Sequence, residues 1–328
     1  MKDVGLAGLP FAGKSTLFTA LTRAGASGGR SNQAVVSVPD PRLQVLAELE
    51  HSAKVVPAQV RFVDVPGGLS AQSLAALRET HALALVVGAF QGDRDAAADL
   101  ASVRSELLLA DLAAVEGGIE RTAKKLKGGR GDEAAGTAEA LARAKTALDA
   151  ETPLRDAGLS EEDRVALRDY GLLSLKPWVV VANLEEGASI PEGLPDGAVG
   201  VFAAIEAEVA EMDEAEGRAL LAEFGVEEPG LEAVIHACYQ ALDLITFLTT
   251  GEDETRAWQT RRGARAPEAS GAIHTDLERG FIRAEVVTYD ELVAAGSEKE
   301  ARAKGLVRTE GKDYEVQEGD ILHVLFSV

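Results

Sequence analysis

Cysteine is nearly missing from this sequence: 328 residues carry one, Cys238. A single thiol forms no intramolecular disulfide and provides no cysteine-ligated zinc site. Its setting, VIHACYQAL, has helical spacing, so a small buried core residue is expected rather than a nucleophile. Long apolar runs are missing as well. WVVVA at 178–182 is among the longest, far short of the roughly 20 residues that a bilayer-spanning helix needs. The opening MKDVGLAGLP shows no charged segment leading into an apolar run, so no membrane association is expected and the expected location is the cytoplasm. Positive charge is in deficit: 33 Lys and Arg face 54 Asp and Glu, a formal net charge of −21. That excludes general nucleic-acid binding through bulk charge, and sequence-specific DNA binding is not expected. Any RNA contact has to use a local basic patch against a repulsive field. No fixed-period repeat is present.

Hydrophobic residues make up 46% of the chain, the proportion of an ordinary globular protein, and the length suggests two or three compact units. Strands and helices alternate from the start. Residues 3–7, 34–38, 60–65, 83–90, 178–182 and 199–204 read as short apolar strands, with helices over 15–22 and 42–50, the latter capped by Asp40. Apolar strands separated by helices predict an α/β fold, a doubly wound, mostly parallel sheet covered on both faces. Residues 96–171 break the pattern. Leu108, Leu112, Val115, Ile119 and Leu126 form one helical stripe, KGGRGD at 127–132 a turn, and Leu141, Ala144 and Leu148 a second stripe. Ser160 with Asp163 resembles a capping box for a third helix. This predicts a coiled-coil-like helical hairpin inserted between two strands of the sheet. From 245 to 328, short strands mix with glycine and aspartate turns, which predicts a small α+β domain. The expected division is therefore 1–95 with 172–244, 96–171, and 245–328.

Three stretches carry chemistry. GLPFAGKST at 8–16 matches the P-loop spacing, with Gly8, Gly13, Lys14 and Ser15 at the diagnostic positions. Small residues there let successive amides of the loop, through Phe11, Ala12 and Gly13, turn inward around phosphate oxygens. The helix that follows, from Ser15 and Thr16, points its positive end at the same charge. Lys14 is the point charge for the β and γ phosphates, and Ser15 offers a hydroxyl to magnesium. RFVDVPGG at 61–68 ends a strand in Asp64, a second carboxylate for the magnesium shell, and sets Gly67 where its amide reaches the γ-phosphate. VVVANLEEG at 179–187 ends a strand in Asn183, with Leu184 and Glu186 following, where GTPases read their base with Asn-Lys-x-Asp. Leu replaces the Lys and the longer Glu replaces the Asp, so guanine selectivity is expected to be lost. An adenine edge presents an acceptor where guanine presents a donor. Leu184 would add apolar contact to the base. Lys14, Asp64 and Gly67 are thus the candidate catalytic groups, and ATP (or GTP) with Mg2+ the expected cofactors.

Together these motifs resemble the YchF family of Obg-like ATPases. GLPFAGKSTLF, VPDPRL, LADLAAVE, LKPWVVVANLEEG, GLEAVIHACYQALDL, TRAW, GAIHTDLERGFIRAE and EGKDYEVQEGD all look like family segments in family order. The resemblance implies a P-loop NTPase domain, the helical insertion and a C-terminal TGS domain. It also implies a preference for ATP and association with the ribosome, ribosomal RNA or translation factors.

The chain departs from the family pattern in the parts that hold the third phosphate. The family's segment after the first helix bears a Thr that completes the magnesium shell. Here GASGGRSNQAVVSVPDPRL is short, with only Ser27 and Ser31 in place of that Thr. GGLSAQSLAALRET is shorter than the family's second switch and looks helical. The family relies on a His at the head of the next strand, where this chain has Leu85, with His81 one turn earlier. Phosphoryl transfer rests on positioning and charge stabilisation, so nucleotide binding with weak or absent intrinsic hydrolysis is expected. The alternative is a non-enzymatic adaptor with a structural P-loop, binding RNA or the ribosome through the hairpin and TGS domain. Lys124, Lys125, Lys127 and Arg130 cluster at the hairpin tip, and Arg256, Arg261, Arg262 and Arg265 surround Trp258. The first cluster reads as an RNA contact or a solvated turn. The second suits base stacking, or an Arg-rich loop packed on its own acidic neighbours. His274, Asp276 and Arg283 look like family TGS positions without an assigned chemistry.

Overall fold

The computed structural model describes the whole chain except residues 24–31, 91, 93, 128–131, 211, 227–228 and 328. The elements run β1 (Asp3–Ala7), α1 (Lys14–Arg23), β2 (Gln33–Ser37), α2 (Pro41–Glu50), β3 (Val55–Val56), β4 (Gln59–Asp64), α3 (Ala71–Arg78), β5 (Ala82–Ala89), α4 (Ala96–Lys127), α5 (Asp132–Asp149), α6 (Glu161–Leu167), β6 (Trp178–Leu184), β7 (Val199–Val201), α7 (Ala203–Val209), α8 (Glu214–Glu223) and α9 (Gly230–Ala241). There follow β8 (Leu244–Thr249), β9 (Thr255–Arg261), α10 (Ala266–Ile273), α11 (Thr275–Arg279), β10 (Phe281–Thr288), α12 (Tyr289–Ala295), α13 (Glu298–Ala303), β11 (Arg308–Glu310) and β12 (Asp320–Phe326). Contacts divide the chain into two compact units, Met1–Val36 with Arg61–Leu242, and Ser37–Val60 with Asp243–Val328.

The first unit is built on a six-stranded sheet of order β2-β4-β1-β5-β6-β7, in which β1 pairs in parallel with β4 and β5, and β6 with β5 and β7. Strand β5, ALALVVGA, is buried over its first seven residues, and β6, WVVVANL, throughout. A parallel strand covered on both faces has no solvent side to make polar, which is why these strands read as unbroken apolar runs. Leu83, Leu85 and Val87 join Leu100, Val103 and Leu107 of α4 and Trp178 and Val180 of β6 in one core cluster. Each such side chain contributes about 1.5–3 kcal/mol on burial. The strand expected over 199–204 stops at Val201. The Glu206 carboxylate reaches back to accept the Phe202 amide at 2.9 Å, so helix α7 starts at Ala203.

The inserted hairpin pairs α4 with α5, closed by α6. The α6 capping box is present in full, with Ser160 and Asp163 bonding each other's backbone. The buried face of α4 differs from the stripe read in the sequence. It runs through Leu100, Val103, Leu107, Asp111, Val115, Gly118 and Thr122, while Leu108, Leu112 and Ile119 flank it and Leu126 is 40% exposed. Apolar periodicity missed this face because an aspartate, a glycine and a threonine lie on it. Gly118 is required there: a Cβ would stand 2.6 Å from the Tyr170 ring. Asp111, fully buried, accepts from Arg78 Nη1 (3.0 Å), Leu173 N (2.9 Å), Ser174 N (2.6 Å) and Ser174 Oγ (2.7 Å). It ties α4 to the end of α3 and to the segment entering β6.

The second unit has its own six-stranded sheet, of order β11-β10-β12-β8-β9-β3. Strand β10 pairs antiparallel with β11 and β12, and β8 pairs parallel with β12 and antiparallel with β9. Helix α10 covers one face through Ala266 and Ala269, against Phe247, Val286 and Leu322. Residues 37–60, read in the sequence as part of the nucleotide-binding region, lie in this unit. Their β3 adds to β9 in parallel, and Ser52 Oγ donates to Gly251 O at 2.7 Å. Asp40 caps α2 as expected, and Arg42 forks between Asp40 and Glu318, with Nη2 at 2.7 Å from each. Among the described residues, no helix is long and apolar enough to cross a membrane.

Candidate nucleotide site

The loop from Gly8 to Gly13 joins β1 to α1 at the carboxyl end of the parallel strands, the usual ligand-binding edge of such sheets. Gly8 sits so close to β5 that a Cβ would come within 2.3 Å of Val86 O. Gly13 has φ +87°, and a Cβ there would stand 2.0 Å from Asn183 Nδ2. Both positions therefore demand glycine. Phe11 holds φ +63° with its ring 84% exposed, whereas Ala12 is buried. The Lys14 ammonium is 9% exposed and donates to Gly8 O (3.0 Å) and Leu9 O (2.8 Å), spanning the loop it belongs to. Burial holds it below the ordinary lysine range; the Asp64 carboxylate opposes that shift and the Arg94 guanidinium adds to it. Helix α1 begins at Lys14, so the amides of Ser15 and Thr16 fall in its first turn, where no intrahelical acceptor exists.

Ser15 Oγ donates to Asp64 Oδ2 at 3.2 Å. A hydroxyl and a carboxylate brought together on the phosphate side are hard oxygen donors, the set that suits Mg2+. Beyond Asp64, Gly67 (φ +91°) and Gly68 (φ +67°) turn the chain. A Cβ on Gly68 would lie 3.5 Å from the Pro10 ring, so this turn lies against the P-loop. Ser70 then caps α3, and Ser73 Oγ closes the turn on Pro66 O at 2.6 Å. The segment is short and helical, as its sequence suggests.

The base-reading stretch divides. Asn183 is 5% exposed; its Oδ1 accepts from Ala203 N at 3.3 Å while its Nδ2 faces Gly13. It thus braces the P-loop, the end of β6 and the start of α7. Leu184 is 6% exposed and packed in the sheet core, where a Cβ on Gly200 would meet its Cδ1 at 2.8 Å. Its side chain serves the core in this arrangement. Glu186 is exposed on the loop that follows.

The other sequence candidates fall elsewhere. Leu85 is fully buried in mid-strand, registered between Ala7 and Val180. His81 pairs with Asp3: its Nδ1 accepts the Asp3 amide at 3.1 Å, and its own amide donates to Asp3 O at 2.8 Å. Asp3 starts β1, so His81 stands at the end of the sheet opposite the P-loop. Ser27, Ser31 and Arg130 lie outside the described residues. Lys124, Lys125 and Lys127 are exposed in the last turn of α4. Each arginine around Trp258 has an acidic partner: Arg256 with Glu254, Arg261 with Glu268, Arg262 with Asp243 and Arg265 with Asp313. Arg256 also covers the Trp258 ring at 4.1 Å. These contacts match the packed-loop reading of that cluster. His274 Nδ1 accepts the Asp276 amide and caps α11. Cys238 is fully buried in α9, which pushes its thiol up to about 12.

One residue at the site had no signal in the sequence. Arg94, in the linker between β5 and α4, donates to Phe11 O (3.0 Å) and Pro10 O (3.2 Å) and also pairs with Asp99. In QGDRDAA an arginine between aspartates is indistinguishable from solvated charge.

A parallel sheet, a glycine loop spanned by its own lysine, and a serine paired with the carboxylate that ends the adjacent strand define a P-loop NTPase domain. The family model described as 50S ribosome-binding GTPase matches residues 3–113, and the YchF GTPase C-terminal model, described as a protein of unknown function, matches 244–327. Curated relatives span both chains almost entirely. The chain is 40% identical to the ribosome-binding ATPase YchF of Haemophilus influenzae over 361 positions, and 39% identical to that of Bacillus subtilis over 362, covering 99% of each. A solved structure, the YchF GTPase of Schizosaccharomyces pombe, superposes with a TM-score of 0.88 at 27% identity, covering 99% of this chain and 97% of that one. The chain belongs to the YchF family. Since 361 aligned positions meet a chain of 328 residues, at least 33 positions of the Haemophilus alignment have no counterpart here.

Proposed function

We propose that this protein binds a purine nucleoside triphosphate, ATP in preference to GTP, with Mg2+, acts at the ribosome in the cytoplasm, and hydrolyses the nucleotide slowly on its own. The observation that carries the reading is the Lys14 ammonium held over the loop by Gly8 O and Leu9 O, with Ser15 and Asp64 paired beside it. In the bound state Lys14 exchanges neutral carbonyl partners for phosphate oxygens, and charge-assisted bonds of that kind are about twice as strong. Ser15 and Asp64 would hold a magnesium ion, which would supply charge neutralisation at the phosphates, and the Gly67 amide would offer a donor to the third one. Asn183 keeps the loop and the base end in register. Glu186 lies exposed, with no fixed carboxylate to repel an adenine edge, and the bacterial relatives bear the name ATPase. The ribosome enters through those same names. The exposed lysines at the end of α4 are the surface proposed to meet ribosomal RNA.

Slow hydrolysis follows from what surrounds the third phosphate. Leu85 is sealed in the sheet and His81 stands at its far end, so neither orients a water. Multiple-turnover phosphate release with saturating MgATP is expected to stay well below one per minute. Release at the 1–100 per second of efficient phosphoryl-transfer enzymes would overturn this. The adaptor reading draws on the same lysine, whose bonds to its own loop also stabilise an empty cradle. Titration with MgATP and MgGTP separates the two: heat of binding with ATP tighter than GTP supports the proposal, and no binding of either supports the adaptor.

A further inference from the structure

We propose that Arg94 is a positioning residue that sets the amide directions of the P-loop, an inference that rests on the nucleotide-binding reading above. A trans peptide carries its C=O and the next residue's N–H on opposite sides. Arg94 takes the Pro10 and Phe11 carbonyls at 3.2 and 3.0 Å from outside the loop. The Phe11 and Ala12 amides are thereby turned away from Arg94, toward the loop interior. Ala12 N indeed faces Leu9 O, at 3.4 Å, the same carbonyl that Lys14 occupies. A phosphate cradle requires that direction, and a single reversed peptide would aim a carbonyl at the anion. The strained Phe11 backbone, at φ +63°, needs an external hold, because a non-glycine residue pays for that conformation.

The clamp is itself built in. The Arg94 and Asp99 side chains are 17% and 19% exposed and pair with each other, so the first turn of α4 fixes the guanidinium. A lysine supplies the charge but not the planar fork that holds two carbonyls and a carboxylate at once.

Arg94→Lys, Arg94→Gln and Asp99→Asn are compared with the unaltered chain in two measurements. In the nucleotide-free protein, amide hydrogen exchange of the peptide covering residues 8–14 is expected to quicken at least severalfold in both Arg94 variants and less in Asp99→Asn. In titration with MgADP and MgATP, both Arg94 variants are expected to lose about 10- to 100-fold in affinity, with the melting temperature nearly unchanged. Wild-type exchange in Arg94→Gln, or full affinity in Arg94→Lys, overturns the positioning role; the latter shows that charge alone suffices. If the unaltered chain binds no nucleotide yet exchange quickens in the variants, the nucleotide reading fails while the clamp stands.

Discussion

Replacing Lys14 with alanine is expected to lower MgATP affinity by on the order of 100- to 1,000-fold, the largest functional loss from any single substitution in the chain. The ammonium lies on the loop, held by Gly8 O and Leu9 O, and it is already buried. Its dehydration cost is therefore met on folding, and the attraction to phosphate, less the two carbonyl bonds it gives up, appears as affinity. Removing one partner of a buried charge pair costs about 3–5 kcal/mol, and a loss of 100- to 1,000-fold, about 3–4 kcal/mol at 1.4 kcal/mol per decade, falls at the lower end of that. The free protein should hardly notice. The variant leaves Gly8 O and Leu9 O without this donor but removes a buried charge, two effects of opposite sign. Isothermal titration together with a melting curve checks this: lost binding with an unshifted melt supports it, and retained binding refutes it. The pH dependence has a definite sign as well. Phosphate binds the charged ammonium, and burial lowers the pKa of Lys14 in the free protein. Affinity should therefore fall with rising pH before the ordinary lysine value of 10.5 is reached. A flat affinity up to that value would show that Lys14 does not carry the charge.

The largest stability loss is expected from Asp111→Ala. All four partners of this fully buried carboxylate are donors: a guanidinium, two amides and a hydroxyl. Truncation takes the carboxylate from all four; Arg78 keeps Gly171 O and Ala110 O but loses its counter-charge, and the amides and hydroxyl lose this acceptor, for a total of about 3–5 kcal/mol. Asp111→Asn keeps the shape but turns an NH2 toward donors, so it should recover only part of the loss. Urea unfolding followed by far-ultraviolet dichroism reads both. A loss below about 1 kcal/mol for the alanine variant would mean that solvent or a rearranged Arg78 replaces the carboxylate.

What the sequence disclosed and what it hid have physical reasons. The strands were legible because a parallel strand buried on two faces cannot be polar at any position, as in ALALVVGA. The phosphate loop was legible because its backbone geometry admits glycine alone at positions 8 and 13. The helix after β4 was legible in GGLSAQSLAALRET, and the structure adds Ser70 as its cap. Interactions between distant segments were not. The polar Asp111 sits on the buried stripe of α4 only because Leu173, Ser174 and Arg78 converge on it from two other places in the chain. The place of residues 37–60 in the second unit depends on the pairing of β3 with β9, about 200 residues later in sequence. Leu184 reads as a base contact when it is counted from Asn183, yet its strand continues one residue further and carries it into the core. His81 lies near the chemistry in sequence, and the direction of β5 sends it to the opposite end of the sheet. Arg94 left no trace, because its partners are backbone carbonyls, which every sequence has.

The anchor at Asp111 has a mechanical meaning. It fixes α4 near its middle, with Arg78 of α3 as one of its holds, and α3 begins just past the turn that follows Asp64. The helix continues sixteen residues beyond that point to Lys127, about 24 Å at 1.5 Å per residue. It is a lever whose fulcrum lies at the end of the sheet away from the phosphate loop, joined to the turn after Asp64 by the length of α3. A tilt of about 5° there sweeps the lysine-bearing end through roughly 2 Å, enough to make or break a salt bridge.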